Sequence, residues 1–315
     1  MSIRGAVAFA ILGLVSAHPV RAQMPDTDIW LADVMVQGDS LSLGQPVNVT
    51  HRPGYDNQPA FLSHPVGAVD HRWPLRFLFT SADSLGATDI FLWDSDTRAA
   101  TRVTHTPESE YSPTPFADWR GSAGFFTVRV EADSTQRLWK FNSDGTGPQV
   151  VASKVDSVGY FAFIDDRHVA MFVLGNEARK EPHTLRVVDL KTQHETIVAR
   201  DIGRCIQRIP GTNDIMFTLR NPDGTYRFCI LKHGKTAGEP LINAVEDGQD
   251  AAWLDAHTLL MSAGTTIYAA RPVEKTGGEW HAVRNFVGDG ISSITRIAVS
   301  PDGHQIAFVA TPATP

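Results

Sequence analysis

VNVTHRPGYDNQPAF (Val47–Phe61) and TRVTHTPESEYSPTPF (Thr101–Phe116) are two versions of one pattern. Each leaves a β-branched run through Val-Thr-His, crosses a loop carrying Pro and Tyr, and reaches a Phe shortly after Pro. Thr50 and Thr104 stand 54 residues apart, and self-similarity at such a period marks solenoids, propellers or arrays. A second signal lies upstream of each loop. DIWLAD begins at Asp28, DIFLWD at Asp89, RLWKFN at Arg137, TLRVVD at Thr184, RFCILK at Arg227 and TIYAAR at Thr266. Each is a short apolar, β-branched or aromatic run closing on a polar residue, as a strand does on entering a turn.

The steps between those starts are 61, 48, 47, 43 and 39 residues, each the length of four short strands with turns. The long first step holds an insertion, LSHPVGAVDHRWPL, between Phe61 and Arg76. Downstream of each run comes another strand, a loop, and a strand with a bulky residue near its end: Phe61, Phe116, Phe163, Ile209, Trp253 or Val299. A last apolar strand follows, such as RFLFTS or QIAFVA. Asn142-Ser143-Asp144-Gly145, Asn221-Pro222-Asp223-Gly224 and Ser300-Pro301-Asp302-Gly303 are turn sequences. Helical periodicity is almost absent. Six four-stranded antiparallel units predict an all-β chain, a six-bladed β-propeller. The chain starts on a unit's third strand and finishes on a unit's first two, so the closing blade should pair N- and C-terminal strands and hide the ring's edges.

The first residues have the composition of a secretory leader. Arg4 precedes the apolar run Gly5–Ala17, and Val20-Arg21-Ala22 offers small residues at a cleavage position. We expect a signal peptide over 1–22, one propeller domain over 23–315, and export to the periplasm or medium. No later segment approaches the roughly 20 apolar residues of a spanning helix, so membrane insertion is not expected. Removing Arg4 and Arg21 leaves 26 basic against 35 acidic side chains, a net charge of −9. That balance, without a basic run, argues against nucleic acid as a partner.

The Asp-Ile-Trp/Phe runs followed by Val-Thr, then Ser300-Pro301-Asp302-Gly303 and Ile306-Ala307-Phe308, resemble the TolB-like propeller repeat. The best matches are 28–61, 89–116 and 295–310. The resemblance implies a six-bladed ring. The family's name-giving member binds a peptidoglycan-associated lipoprotein and colicins at one channel mouth. Its separate N-terminal domain has no expected counterpart here, because the first repeat strand starts six residues past the expected cleavage point. The same repeat forms the gating propeller of prolyl oligopeptidase-type enzymes, and related propellers include oligogalacturonate lyases.

Several motifs suggest chemistry. Gly38-Asp39-Ser40-Leu41 matches the nucleophile motif of GDSL esterases, and Asp165 with His168 forms an Asp-x-x-His. That family is a helix-layered α/β fold, so turns are the better reading. His51 and His105 recur because the repeat recurs, and they would bind metal only by converging. His64, Asp70, His71 and Trp73 sit in the insertion, where loops on a rigid scaffold can carry function. Cys205 and Cys229 fall on the first and third strands of one blade. That places them about 9.6 Å apart, twice the strand spacing, beyond disulfide reach. Two buried free thiols are expected.

The residues just before each innermost strand face a channel mouth: Tyr55, Asp56, Glu110, Tyr111, Asp156, Arg204, Asp247 and Asp250. They are mixed, mostly acidic, and include two Tyr, which suits recognition. They form no recurring catalytic pair. The expectation is a monomeric binding module for a protein or peptide of the cell envelope, with no cofactor, metal or catalytic residue. The rival is a polysaccharide lyase or hydrolase using a channel His and a divalent metal. Propellers host both.

Overall fold

A computed structural model of the 315-residue chain describes residues 24–63, 74–82, 86–119, 121–246, 248–272 and 278–313. The expected leader and the insertion residues His64, Asp70, His71 and Trp73 lie outside them. The described residues form six antiparallel sheets, strung consecutively along the chain. From the inner strand outward, blade 1 is Asp56–Phe61, Arg76–Ala82, Thr88–Asp94 and Ala99–Arg102. Blade 2 is Ser109–Trp119, Ser122–Val130, Gln136–Asn142 and Gln149–Val150. Blade 3 is Val158–Phe163, His168–Val173, Thr184–Asp189 and His194–Arg200. Blade 4 is Ile202–Arg208, Ile215–Arg220, Tyr226–Leu231 and Glu239–Asn243. Blade 5 is Asp250–Trp253, Leu259–Ala263, Thr266–Ala270 and His281–Asn285.

Blade 6 closes the ring. Its inner strands, Ile291–Val299 and Gln305–Pro312, come from the C-terminal side, and its third, Asp28–Gln37, comes from the N-terminal side. The seal is a ladder running from Asp28 opposite Ala310 to Asp33 opposite Gln305. The long third strand carries a split outer edge, Ser40–Leu43 beyond Val34 and Val47–Asn48 beside Trp30 and Leu31. The fold is the six-bladed propeller that the repeat predicts. A single 3-10 turn, Glu177–Arg179, is the helical exception among the described residues.

Burial explains why the ring holds. The buried apolar residues fall into clusters that each bridge one seam between adjacent blades. Ile29 and Val309 of blade 6 pack on Phe77 and Trp93 of blade 1, and Leu78 and Ile90 of blade 1 on Phe125 and Phe141 of blade 2. Val128 and Leu138 meet Val169 and Met171 at the next seam, and Phe172 and Leu185 meet Ile215 and Phe217 at the one after. Met216 and Phe228 meet Trp253 and Met261, and Leu260 and Ile267 return to Ile306 and Phe308. Each fully buried aromatic or aliphatic side chain contributes on the order of 2–3 kcal/mol. Alternation along a strand sends neighbouring side chains to opposite seams.

That alternation separates the two cysteines more firmly than strand spacing does. Cys205 packs in the seam toward blade 5 and Cys229 in the seam toward blade 3. Both are free and buried, and burial pushes the Cys205 thiol up to about 12.

The repeated Val-Thr-His has a seam function. Thr50 Oγ1 accepts from the Ile29 amide at 3.0 Å and lies 3.3 Å from Asp28 Oδ1. Thr104 Oγ1 does the same with the Ile90 amide at 2.9 Å and Asp89 Oδ1 at 3.3 Å. Each threonine thus ties the outer edge of one blade to its third strand, one step before the chain crosses to the next blade. The His residues that follow, His51 and His105, are exposed.

Candidate functional site

Six inner strands surround one cavity of about 470 Å³, and every blade supplies part of its wall. Gln58, Ser112, Tyr160, Arg204, Asp250 and Arg296 come from blades 1 to 6 in order. Five of the six inner strands reach inward by breaking their own ladders, and that of blade 5 pairs in regular register. Register shifts fall between Asn57 and Ala60, Tyr111 and Thr114, Val158 and Tyr160, Ile202 and Ile206, and Thr295 and Ile297. A bulge bends a strand and re-aims its side chains. Three bulge residues that are not glycine sit in the left-handed region: Gln58 (φ 57°), Ser112 (φ 54°) and Arg296 (φ 41°). Such strain persists only where the surroundings over-determine it. Here, Gln58 Oε1 accepts from the Ser112 amide at 2.8 Å and from Thr80 Oγ1 at 2.8 Å, locking blade 1 to blade 2.

The charged centre is asymmetric. Arg204 donates from Nε to Asp250 Oδ1 at 2.9 Å and from Nη2 to Asp250 Oδ2. Arg296 donates from Nη1 to the same Oδ1 at 2.9 Å, and from Nη2 to Tyr160 Oη at 2.6 Å. The Arg296 guanidinium also lies 4.7 Å from the Tyr160 ring centroid. Two cations therefore share one carboxylate. Burial pushes the Asp250 carboxyl up, but the Arg296 charge and the Arg204 bonds outweigh it and hold it below the usual range. Tyr55 is within electrostatic reach of Arg296, Tyr160, Tyr111 and Arg204, and burial holds its phenol protonated well above the ordinary value.

Among the residues expected at the mouth, Arg204 and Asp250 line the cavity. Tyr55 and Tyr111 lie within electrostatic reach of one another, and Tyr111 packs on the seam between blades 2 and 3. Asp56 and Glu110 are placed differently: both are fully buried and turned into seams. Asp56 takes an ion pair from Arg52. Glu110 accepts from Thr106 Oγ1 at 2.5 Å and lies 3.4 Å from Arg129 Nε. Asp156 is exposed and accepts from the Gln136 amide at 3.0 Å, tying the blade 2–3 crossing. Asp247 lies outside the described residues. Tyr160 and Arg296 were missed by the sequence reading. A signal existed, since counting three residues back from Phe61, Phe163, Trp253 and Val299 lands on Gln58, Tyr160, Asp250 and Arg296.

The esterase-like motif does not assemble. Ser40 is exposed on the outer edge of blade 6, whereas Asp165 and His168 form a turn of blade 3, on the opposite side of the ring. Their 3.0 Å contact, with the Asp165 bonds to the Arg167 and His168 amides, is turn chemistry. Among the described residues, no group of three or more His, Cys, Asp or Glu could hold a metal ion. A groove of about 570 Å³ lies between blades 5 and 6, beside Asp39, Asp255 and Arg271, but only two blades build it.

No protein-family profile and no curated protein matches the chain. Solved structures do match in fold. A putative TolB from Agrobacterium tumefaciens superposes with a TM-score of 0.62 at 12% identity, over 92% of this chain and 99% of that one. TolB from Acinetobacter baumannii gives 0.53 at 10% identity, over 90% of this chain and 64% of that one. This chain therefore spans less than two thirds of that relative. A glucose dehydrogenase gives 0.56 at 11% identity, over 82% of this chain and 97% of that one. Among the described residues, no helix is long and apolar enough to cross a membrane. What these structures share with the chain is its architecture: this is a six-bladed propeller of the kind seen in TolB.

Proposed function

We propose that the chain is a binding module that receives a segment of an envelope protein or peptide in its central channel. The observation that carries this reading is convergence: one side chain from each of six blades lines a single concave cavity. Tyr160 supplies rigid, amphipathic contact area at low entropic cost, with Tyr55 and Tyr111 close behind it, and Arg204 and Arg296 supply directional donors. The only carboxylate within this set, Asp250, already accepts from both arginines, an arrangement suited to recognition. Export to the periplasm follows from the leader-like composition of residues 1–22 and agrees with the TolB likeness in fold.

The test is a quantitative pull-down from envelope extract with wild-type protein and the Tyr55→Ala/Tyr111→Ala double variant. The expected result is loss of specific captured proteins with the variant, measured at a temperature where circular dichroism shows both proteins folded, since truncating packed tyrosines lowers stability. Identical captured sets would refute the channel reading.

A further inference from the structure

We infer that the group anchoring the ligand in this channel is a carboxylate carried on a peptide, held by Arg204 and Arg296 beside the Tyr160 hydroxyl. This deepens the proposed channel-binding function and rests on it. The chain as a whole carries a formal charge of −7, yet the channel centre holds two guanidiniums against the single Asp250 carboxylate. At that centre the excess is one positive charge. Arg208, which lines the same cavity and bonds the uncharged Thr212 carbonyl and Asn213 side chain, adds a second farther along the wall. Protein walls concentrate the field there.

The donors are not exhausted. A guanidinium has five N–H groups. Arg204 spends Nε and one Nη2 hydrogen on Asp250, and its side chain remains 32% exposed where it lines the cavity. Arg296 spends one hydrogen on Asp250 and one on Tyr160. Because Tyr160 Oη accepts from Arg296, its own proton is left to donate. Asp250 Oδ1 accepts from both arginines and Oδ2 from Arg204, so an incoming cation finds its only carboxylate in this set already engaged. The centre is a donor site in search of an acceptor.

Charge and shape narrow the acceptor. The one unit of excess at the Arg204–Asp250–Arg296 centre matches a monoanionic group, and a planar carboxylate matches the edge of a guanidinium. The remaining wall is mixed, with Gln58, Ser112, Thr114 and Gln207 beside an apolar portion, and it is the apolar portion that selects the carrier. Pro59, Ala60, Pro113, Ala162 and Ile206 line the same cavity. An acidic sugar chain carries hydroxyls along its edges and would leave them unpaired against that wall, at a cost. A peptide can place apolar side chains there.

The test uses the full chain and three pools of tetrapeptides randomised over uncharged residues and N-terminally labelled with an uncharged fluorophore. One pool ends in a free carboxyl, the second in a carboxamide, and the third is amidated but carries one fixed glutamate. Binding is read by anisotropy at about 50 and 300 mM salt. The free-acid pool should bind at least tenfold more tightly than the plain amide pool, with the advantage shrinking as salt screens it. Equal rescue by the glutamate pool assigns the carboxylate to a side chain, and no rescue assigns it to the C-terminus. Either supports the inference.

Arg296→Gln should erase the acid preference. Asp250→Asn should enlarge it by freeing both guanidiniums, an opposite sign that misfolding would not produce. Should Asp250→Asn fail to fold, Tyr160→Phe should weaken acid binding several-fold and leave amide binding unchanged. Equal binding of acid and amide pools that is lost in the Tyr55→Ala/Tyr111→Ala variant would overturn the carboxylate inference and leave the channel reading standing. No binding by any pool, or Arg296-dependent binding of oligogalacturonate alone, would overturn the inference as well.

Discussion

Glu110→Gln should make the protein more stable above neutral pH and remove a pH slope that the wild type carries. The reasoning begins with hydrogen counting. Thr104 Oγ1 accepts from the Ile90 amide at 2.9 Å and sits 3.3 Å from Asp89 Oδ1 and 3.2 Å from Glu110 Oε2. A hydroxyl has one proton to give, so it cannot serve both carboxylates. The set is satisfied when Glu110 is protonated, donating to Thr104, which donates to Asp89. Asp89 keeps its charge beside Arg102 at 2.6 Å. Burial, partly offset by Thr106 and Arg129, pushes the Glu110 carboxyl from 4.5 up to about 7.

The sign follows from linkage. Below pH 4.5 folded and unfolded chains both hold the proton. Between 4.5 and 7 only the folded chain does, so stability falls as pH rises, and above 7 the loss is complete. At about 1.4 kcal/mol per pKa unit, that loss reaches roughly 3 kcal/mol for a side chain with no solvent exposure. Glutamine keeps the shape and donates from Nε2 to Thr104. Denaturant unfolding of wild type and variant at pH 5, 6, 7 and 8 measures the difference. The variant's advantage should grow from pH 5 to 7 and level off by pH 8 at about 1–3 kcal/mol. A difference that stays flat across this range, or a variant less stable than wild type at pH 8, would refute the argument and assign Glu110 to a net-favourable ion pair with Arg129. Asp56 is also raised, by burial that outweighs its bonds to Arg52 and Ser81. The comparison with the variant is therefore the proper readout, since Asp56 adds a slope of the same sign to both proteins.

Alkylation in denaturant without reductant should add two groups per chain, one on Cys205 and one on Cys229; an unmodified intact mass would contradict the opposite-face placement of these thiols. Arg284 donates to the carbonyls of Leu43 (3.1 Å) and Gly44 (2.6 Å) and pairs with Asp289 at 3.0 Å, pinning the outer edge of the closing blade to blade 5. Arg284→Ala should cost about 1–3 kcal/mol and raise amide exchange over residues 40–48; unchanged exchange there would dissolve the latch. Gly124→Ala would set a Cβ 2.1 Å from the Phe141 carbonyl oxygen and 2.9 Å from the Phe116 ring. It should lower the denaturation midpoint far more than Gly211→Ala, where the new Cβ meets nothing within 4 Å and only the φ of 74° resists. Equal effects would show that the blade can spread at no cost.

The TolB likeness and the cavity answer different questions, because fold and site are separate properties of a propeller. The matched structures include a TolB and a glucose dehydrogenase on the same ring. The shared ring explains how Tyr160, Arg204, Asp250 and Arg296 are brought to one place. The residues themselves decide what is held there.

The sequence by itself determined the number of blades, the strand order within each and the seal between the two ends of the described chain. These rest on local rules: alternation along a strand, Asp and Gly in turns such as Asn221–Gly224, and a period long enough for four strands. The Val-Thr-His repeat was legible for the same reason, since Thr50 and Thr104 act on strands within their own blades. The tertiary structure alone decided which polar residues meet. Arg204, Asp250 and Arg296 are 46 residues apart at each step, and only ring closure brings them together. Whether a residue beside an inner strand faces the channel or a seam depends on a bulge of one residue. Asp56 and Glu110 lie in the regular part of their ladders, ahead of the shift, and face seams, whereas Tyr160 and Arg296 lie at register shifts and turn to the cavity. A one-residue shift in a strand of period two reverses the face of every side chain after it, and no pattern of residue types read along the chain records where that shift occurs.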